Sequence, residues 1–214
     1  MNELAVYVIN LDKNRERLKG FAYQYKSSDL NPVICNRFKG IVGMDIQYDR
    51  YIDKMSIIDL TPGMVGCYLS HYKLLAQAEK QFKGTKDYIV IFEDDSLIDK
   101  NIFHKGIKQI PQIYPEDWDI ILLGHMLGDP SHSWVDMESY FEMYNFWGTH
   151  CYIVKMTSVS KILYLLQPPI IDQIDGMYAR LSRNQSLKVY GITHVVAKQQ
   201  PGGASDVQTQ QKSS

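Results

Sequence analysis

The chain of 214 residues has almost no net charge, few cysteines and no long apolar run. A formal net charge of −1 removes any bulk electrostatic attraction for nucleic acid or an anionic membrane. The cysteines are only Cys35, Cys67 and Cys151, odd in number and far apart. Their separation along the chain matches neither a zinc-site pair nor a redox motif, and it implies no disulfide framework. They read as small, buried thiols in a reducing compartment. No apolar run approaches the ~20 residues that span a bilayer. Met1-Asn2-Glu3 leads into strand-like sequence without the basic start and apolar core of a signal peptide. The expectation is a cytoplasmic protein, in a bacterium or a virus-infected host cell, peripheral to a membrane at most. There is no internal repeat, and no linker divides the chain.

What is present suits a single α/β domain. This length is enough to bury roughly 70% of the surface that the unfolded chain exposes. Leu4-Ala5-Val6-Tyr7-Val8-Ile9 is near-continuously apolar, as in a strand buried on both faces. The charged run Lys13–Lys19 suits a helix starting near Asp12. A second apolar stretch lies near Phe38–Val42, and Thr61-Pro62-Gly63 precedes a helix read over Cys67–Phe82. Tyr88-Ile89-Val90-Ile91-Phe92 is the strongest strand pattern. A helix follows around Phe103–Ile110, then a strand over Trp118–Gly124 and an elaborated loop over Gly128–Asn145. Cys151–Val154 reads as a strand, Ser158–Leu166 and Gly176–Ser182 as helices, and Leu187–Ile192 as a last strand. Strands alternating with helices predict a mainly parallel central sheet flanked by helices. Residues 201–214, rich in Gln, Gly and Ser, are expected to form a mobile tail after a domain over 1–200.

The chemically distinctive feature is Glu93-Asp94-Asp95, three carboxylates directly after that strong strand. Carboxylates this close repel one another, and burial raises their pKa values further. A divalent cation relieves both penalties, and Mg²⁺ and Mn²⁺ take oxygen ligands from one or two carboxylates plus phosphate oxygens. In an extended segment residues i and i+2 point the same way. Glu93 and Asp95 would then face one ligand while Asp94 turns into the protein. The position fits as well, because ligands of open α/β sheets bind beyond the carboxyl ends of strands. A solvated acidic turn is the bland alternative. A receiver-domain acid pocket is another, although such pockets usually involve the first strand.

The ordered motifs resemble glycosyltransferase family 25, which includes bacterial lipopolysaccharide glycosyltransferases and the domain of procollagen galactosyltransferases. The resemblance runs through Val8-Ile9-Asn10-Leu11-Asp12 with Arg15 and Arg17, then Thr61-Pro62-Gly63-Met64-Val65-Gly66-Cys67-Tyr68-Leu69-Ser70-His71. It continues through Ile91–Asp95, Trp118–Gly124, Gly148–Val154 and Pro169-Ile170-Ile171-Asp172 to Ser205-Asp206. Met64, where an acid is expected, and the doubled Ile before Asp172 depart from the pattern. The resemblance implies a GT-A-like, Rossmann-like fold and inverting transfer of a hexose, galactose or glucose favoured, from a UDP-sugar with Mn²⁺ or Mg²⁺. The acceptor would be a hydroxyl of a glycan or of hydroxylysine.

Under that resemblance Asp95 is the expected metal ligand, with Glu93 as a second and His194 as a C-terminal one. Asn10, Asp12, Arg15, Asp45, Ser70, His71, Glu93 and Asp94 are expected around the nucleotide and donor sugar. For Arg15 and Arg17 a surface salt bridge is an equal reading. An inverting displacement needs a base, and Asp172 and Asp175 are the candidates, although Asp is also an ordinary helix N-cap. Thr149, His150 and Tyr152 could line a pocket, with core packing an equal reading for Tyr152. A sugar nucleotidyltransferase would carry a glycine-rich phosphate loop near its start, and Val6–Arg17 contains no glycine. A glycosyltransferase-like binding or scaffold module without turnover is the competing class. Oligomeric state is not legible.

Overall fold

The computed structural model describes residues 3–108, 117–127, 140–193 and 195–200. Leu4–Asn10 (β1), Cys35–Lys39 (β2), Tyr88–Glu93 (β3), Ile120–Leu127 (β5), Tyr140–Glu142 (β6), Phe146–Lys155 (β7) and Val189–Ile192 (β8) build one sheet, in the order β2-β1-β3-β7-β5-β8-β6. β1 pairs in parallel with β2 and β3, and β5 with β8. β7 is antiparallel to both β3 and β5, and β6 is antiparallel to β8. β1, β2, β3, β5 and β8 thus run one way, so the sheet is mainly parallel, as the alternating pattern implies. Ser96–Ile98 (β4) and Ala197–Gln199 (β9) form a separate small antiparallel sheet.

The continuous apolar strands are explained by two cores, one on each face of the sheet. Ala5 and Tyr7 of β1, with Ile89 and Ile91 of β3, point to the face covered by Pro62–Phe82 (α2), Val159–Leu166 (α4) and Ile174–Arg183 (α5). Leu4, Val6 and Val8, with Val90 and Phe92, point to the other face. There they meet Phe21 and Tyr25 of Arg15–Lys26 (α1) and Ile102 of the short helix Ile102–Lys105 (α3). Successive side chains of a strand alternate faces, so a strand buried on both sides must be apolar throughout. Ile89, Ile91, Val90 and Phe92 are fully buried, and burying each such side chain contributes about 1.5–3 kcal/mol.

Several boundaries differ from the sequence reading for local reasons. α2 starts at Pro62 and not at Cys67, because the Thr61 Oγ1 accepts a hydrogen bond from the Met64 N–H at 3.2 Å and Pro62 occupies the first turn. β2 starts upstream of the Phe38–Val42 stretch and shares only Phe38 and Lys39 with it. It is an edge strand whose side chains are mostly exposed, so its pattern is not apolar. Of the helix expected over Phe103–Ile110, the described part is α3, which ends before Gly106; Gln109 and Ile110 lie outside the described residues. Within the expected loop Gly128–Asn145, Tyr140–Glu142 is the edge strand β6, with Phe141 turned into the core. β7 is longer than Cys151–Val154, and α5 begins before Gly176. The tail from 201 lies outside the described residues. No helix of the described residues is long and apolar enough to cross a membrane.

Candidate functional site

Because β1 and β3 are parallel neighbours, with Ile9 paired to Glu93, their carboxyl ends open side by side. β7 runs antiparallel beside β3 with Cys151 opposite Phe92, so Gly148–His150 overhang the end of β3. The amino-terminal turns of α2 close a third side. There Gly66 approaches the 41–43 loop so closely that a Cβ would sit 2.5 Å from the Ile41 carbonyl oxygen and 2.7 Å from the Gly43 nitrogen. The Ser70 hydroxyl accepts from the Ile41 N–H at 2.8 Å and donates to the Gly66 carbonyl at 2.7 Å, pinning loop to helix. The result is a cleft of about 560 Å³, its open mouth included.

The triplet is not an extended segment. β3 ends at Glu93, and Asp94 and Asp95 lie in the turn that leads to β4. Asp94 is buried: the Asn10 Nδ2 donates to it at 2.6 Å and the Arg17 guanidinium stands 3.5 Å away. Glu93 accepts from the Thr149 hydroxyl at 2.7 Å, and the His71 Nε2 lies 3.4 Å from the same oxygen. Burial pushes the Glu93 carboxyl up, but His71 and Thr149 outweigh it and hold it below the ordinary carboxylate value. Asp95 differs from both. Its Oδ2 accepts from the Gln199 side chain at 3.1 Å, while its Oδ1 is buried with no hydrogen-bond partner. Burial first, then the neighbouring Glu93, pushes its pKa up to about 6. A buried oxygen acceptor left unpaired costs free energy, and a hard cation is the group that fits it.

A sequence model of glycosyltransferase family 25 (LPS biosynthesis protein) matches residues 3–177. The chain belongs to glycosyltransferase family 25. A glycosyltransferase 25 family member of Anopheles gambiae is 24% identical over 173 residues, covering 74% of this chain and 28% of the relative. The probable inactive glycosyltransferase 25 family member 3 of Bos taurus is 29% identical over 128 residues, covering 57% of this chain and 20% of the relative. The chain therefore spans about a quarter or less of the length of these family members. The crystal structure of A197 from STIV is similar with a TM-score of 0.51 at 10% identity, over 89% of this chain and 81% of that one. That likeness concerns the fold alone.

Of the residues that the family pattern picks out, Asn10, Ser70, His71, Glu93, Asp94 and Asp95 line one cleft. The Asn10 side-chain amide is engaged with the protein: Nδ2 donates to Asp94 and to the Asn14 carbonyl, and Oδ1 accepts from the Arg37 Nε. Asp12 lies at the rim, paired with Arg37 at 2.6 Å and Lys39 at 2.7 Å, which hold its carboxyl down to about 2. Arg15 and Asp45 are exposed and stand outside the cleft lining. Arg17 lines it instead. It shares a helical stripe with the buried Phe21 and Tyr25, four and eight residues on, and that spacing is the sequence signal that distinguishes it from Arg15. Arg37, which sequence reasoning missed in an edge strand without a motif, stands outside the cleft lining and holds Asn10 and Asp12 from behind. His194 lies outside the described residues.

Asp172 and Asp175 separate. α5 is preceded by Gln173, and neither Asp serves as its N-cap. Asp172 is buried beside a second cavity of about 770 Å³, lined also by Asp59, Met64, Trp147, Gln173 and Arg183. Asp175 accepts from the Gly148 N–H at 2.9 Å. Gly148 adjoins Thr149, so β7 links Asp175 to Glu93. Burial raises both aspartates, Asp175 against the opposing Gly148 and Gly176 N–H groups and Asp172 against that of Gln173. Burial, then Glu93, Asp175 and Asp95, pushes the Cys67 thiol well above its ordinary range.

Proposed function

We propose that the chain transfers a hexose from a UDP-sugar to a hydroxyl of a glycan or hydroxylysine acceptor, with inversion at the anomeric carbon. The observation that carries this reading is the orphaned Asp95 Oδ1 beside Glu93, on the floor of a cleft at the ends of two parallel strands. Asp95 would hold Mn²⁺ or Mg²⁺, with Glu93 second and His194 a third candidate. Bound there, the cation would supply Lewis-acid stabilisation of the diphosphate leaving group. Arg17 adds a fixed positive charge to the same wall. Ser70 and His71 act through position, one holding the 41–43 loop and the other Glu93.

In the displacement the acceptor oxygen bonds to the anomeric carbon as the bond from that carbon to the phosphate oxygen breaks. The hydroxyl proton goes to a carboxylate. Asp172 is our choice of base, because it lies beside the second cavity and its raised affinity for a proton suits it to accept one. Trp147, half exposed in that cavity, offers a ring face to a sugar.

A nucleotide-binding module without turnover is the second reading. Glu93 Oε1 and Asp94 are already engaged by protein groups, while the buried Asp95 Oδ1 has no protein partner to give up to a cation. A panel of UDP-sugars with Mn²⁺, scored by thermal shift and UDP release, separates the two. Release with one donor, lost by at least about 10²-fold in Asp95→Ala with an unchanged melting temperature, supports transfer. Stabilisation by UDP without release across donors and acceptors selects the module.

A further inference from the structure

We propose that Cys67, His71 and Glu93 form a binding site for a thiophilic divalent cation of the Zn²⁺ class, distinct from the oxygen-rich position at Asp95. The inference does not rest on sugar transfer. Cys67 and His71 are four residues apart on α2, so they stack on one face of the helix. Glu93, at the end of β3, faces them. One ligand atom from each lies within 4.8 Å of the others.

The second observation is His71 itself. It is fully buried, and its Nε2 has no hydrogen-bond partner although it faces the Glu93 oxygen at 3.4 Å. Its Nδ1 lies 2.7 Å from the buried Tyr152 hydroxyl. That arrangement resembles the outer partner that fixes a ligating imidazole: on metal binding the Nε2 would give up the proton it turns toward Glu93, keep one on Nδ1 donated to Tyr152, and direct its lone pair to the cation. Thiolate, imidazole and carboxylate together suit Zn²⁺ or Co²⁺, whereas Mg²⁺ and Mn²⁺ prefer oxygen alone.

The ligand atoms, at most 4.8 Å apart, would draw in to the spacing of about 3.5 Å around tetrahedral zinc on binding. On binding, the thiol proton leaves to solvent and the sulfur bonds the cation. All three residues line the cleft, so a fourth coordination position opens to it for water or an anion. Zinc binding there stands without sugar transfer; only under the proposed transfer would it take Glu93 away from the donor and inhibit.

The test is a Co²⁺ titration of the reduced full chain without substrate. The expected result is a near-ultraviolet thiolate charge-transfer band and intense visible bands of four-coordinate cobalt, both removed by Zn²⁺. Cys67→Ser should lose the charge-transfer band while Cys35→Ser retains it. Zinc-edge X-ray absorption of the unmutated protein gives an answer independent of the variant's folding, with one sulfur expected at about 2.3 Å. No band in the unmutated chain, a band that survives in folded Cys67→Ser, or a zinc shell without sulfur overturns the proposal. None of these outcomes bears on Asp95, whose test is Mn²⁺-dependent UDP release.

Discussion

The cleft at the strand ends and the cavity beside Asp172 are built on different principles. The cleft at the ends of β1 and β3 has a floor of strand termini and a long helix, and its polar groups are mutually engaged: Asn10 with Asp94, Thr149 with Glu93, Ser70 with the 41–43 loop. The second cavity is assembled from three separate stretches, around Ile58–Met64, Asn145–Trp147 and Asp172–Arg183. Its buried acid, Asp172, accepts from its immediate neighbour, the Gln173 N–H. A site whose side chains are locked by their neighbours is preorganised for one ligand geometry. A site gathered from stretches distant in sequence, with loop residues such as Ile58 and Asp59 among them, can change part of its lining there with little cost to the core. Under the proposed transfer, the first would be a fixed donor side and the second a variable acceptor side.

The division predicts a separation of rates. Asp172→Asn should lower transfer to an acceptor by about 10²–10⁴-fold, the range of a lost general base, while donor hydrolysis stays near the unmutated rate. Parallel measurement of UDP release with and without acceptor checks this. Equal loss of both would move Asp172 to the donor side and break the contrast.

A smaller effect probes the link between the cavities. Gly148 has φ of +89°, and a Cβ there would stand 3.0 Å from the His150 Nδ1. Gly148→Ala should therefore lose about 1–2 kcal/mol of stability, read by denaturant unfolding. It should also disturb the β7 segment that joins Asp175 to Glu93, so donor and acceptor steps should slow together.

The smallest effect is at the cleft rim. Lys39 and Arg37 hold the exposed Asp12 at about 2, below its ordinary 3.8. A depressed carboxylate stabilises the fold above its unfolded value, and the contribution disappears as pH falls through the folded one. The difference in melting temperature between the unmutated protein and Asp12→Asn should be small, present above about pH 4 and gone near pH 2. Salt should shrink it. A difference that persists at pH 2 would show Asp12 acting through packing.

The order of strands and helices was legible because it depends on local pattern. Apolar runs in β1 and β3 announce burial on two faces, whereas the helix start at Thr61-Pro62 was read five residues late, at Cys67. The short β6 and the edge strand β2 were not legible, since an exposed edge carries no apolar alternation. At the site, motif order pointed to Glu93-Asp94-Asp95, Ser70 and His71 without saying what each does. Cys67 read as a small, mostly buried thiol because metal-site reasoning from sequence relies on closely spaced cysteines and histidines, and Glu93 is remote along the chain.

The sequence by itself determined that this is an α/β chain with an acidic triplet after its most buried strand, since both features are written in consecutive residues. Only the tertiary structure decided which acid keeps a buried oxygen without a partner. Asp94 is engaged by Asn10 and Arg17, Glu93 by Thr149 and His71, and Asp95 retains Oδ1. These partners come from β1, α1, β7 and α2, and strand register brings them together across the sheet. Non-local register leaves no trace in the spacing of residues along the chain, which is why three adjacent carboxylates look alike there and differ in the fold.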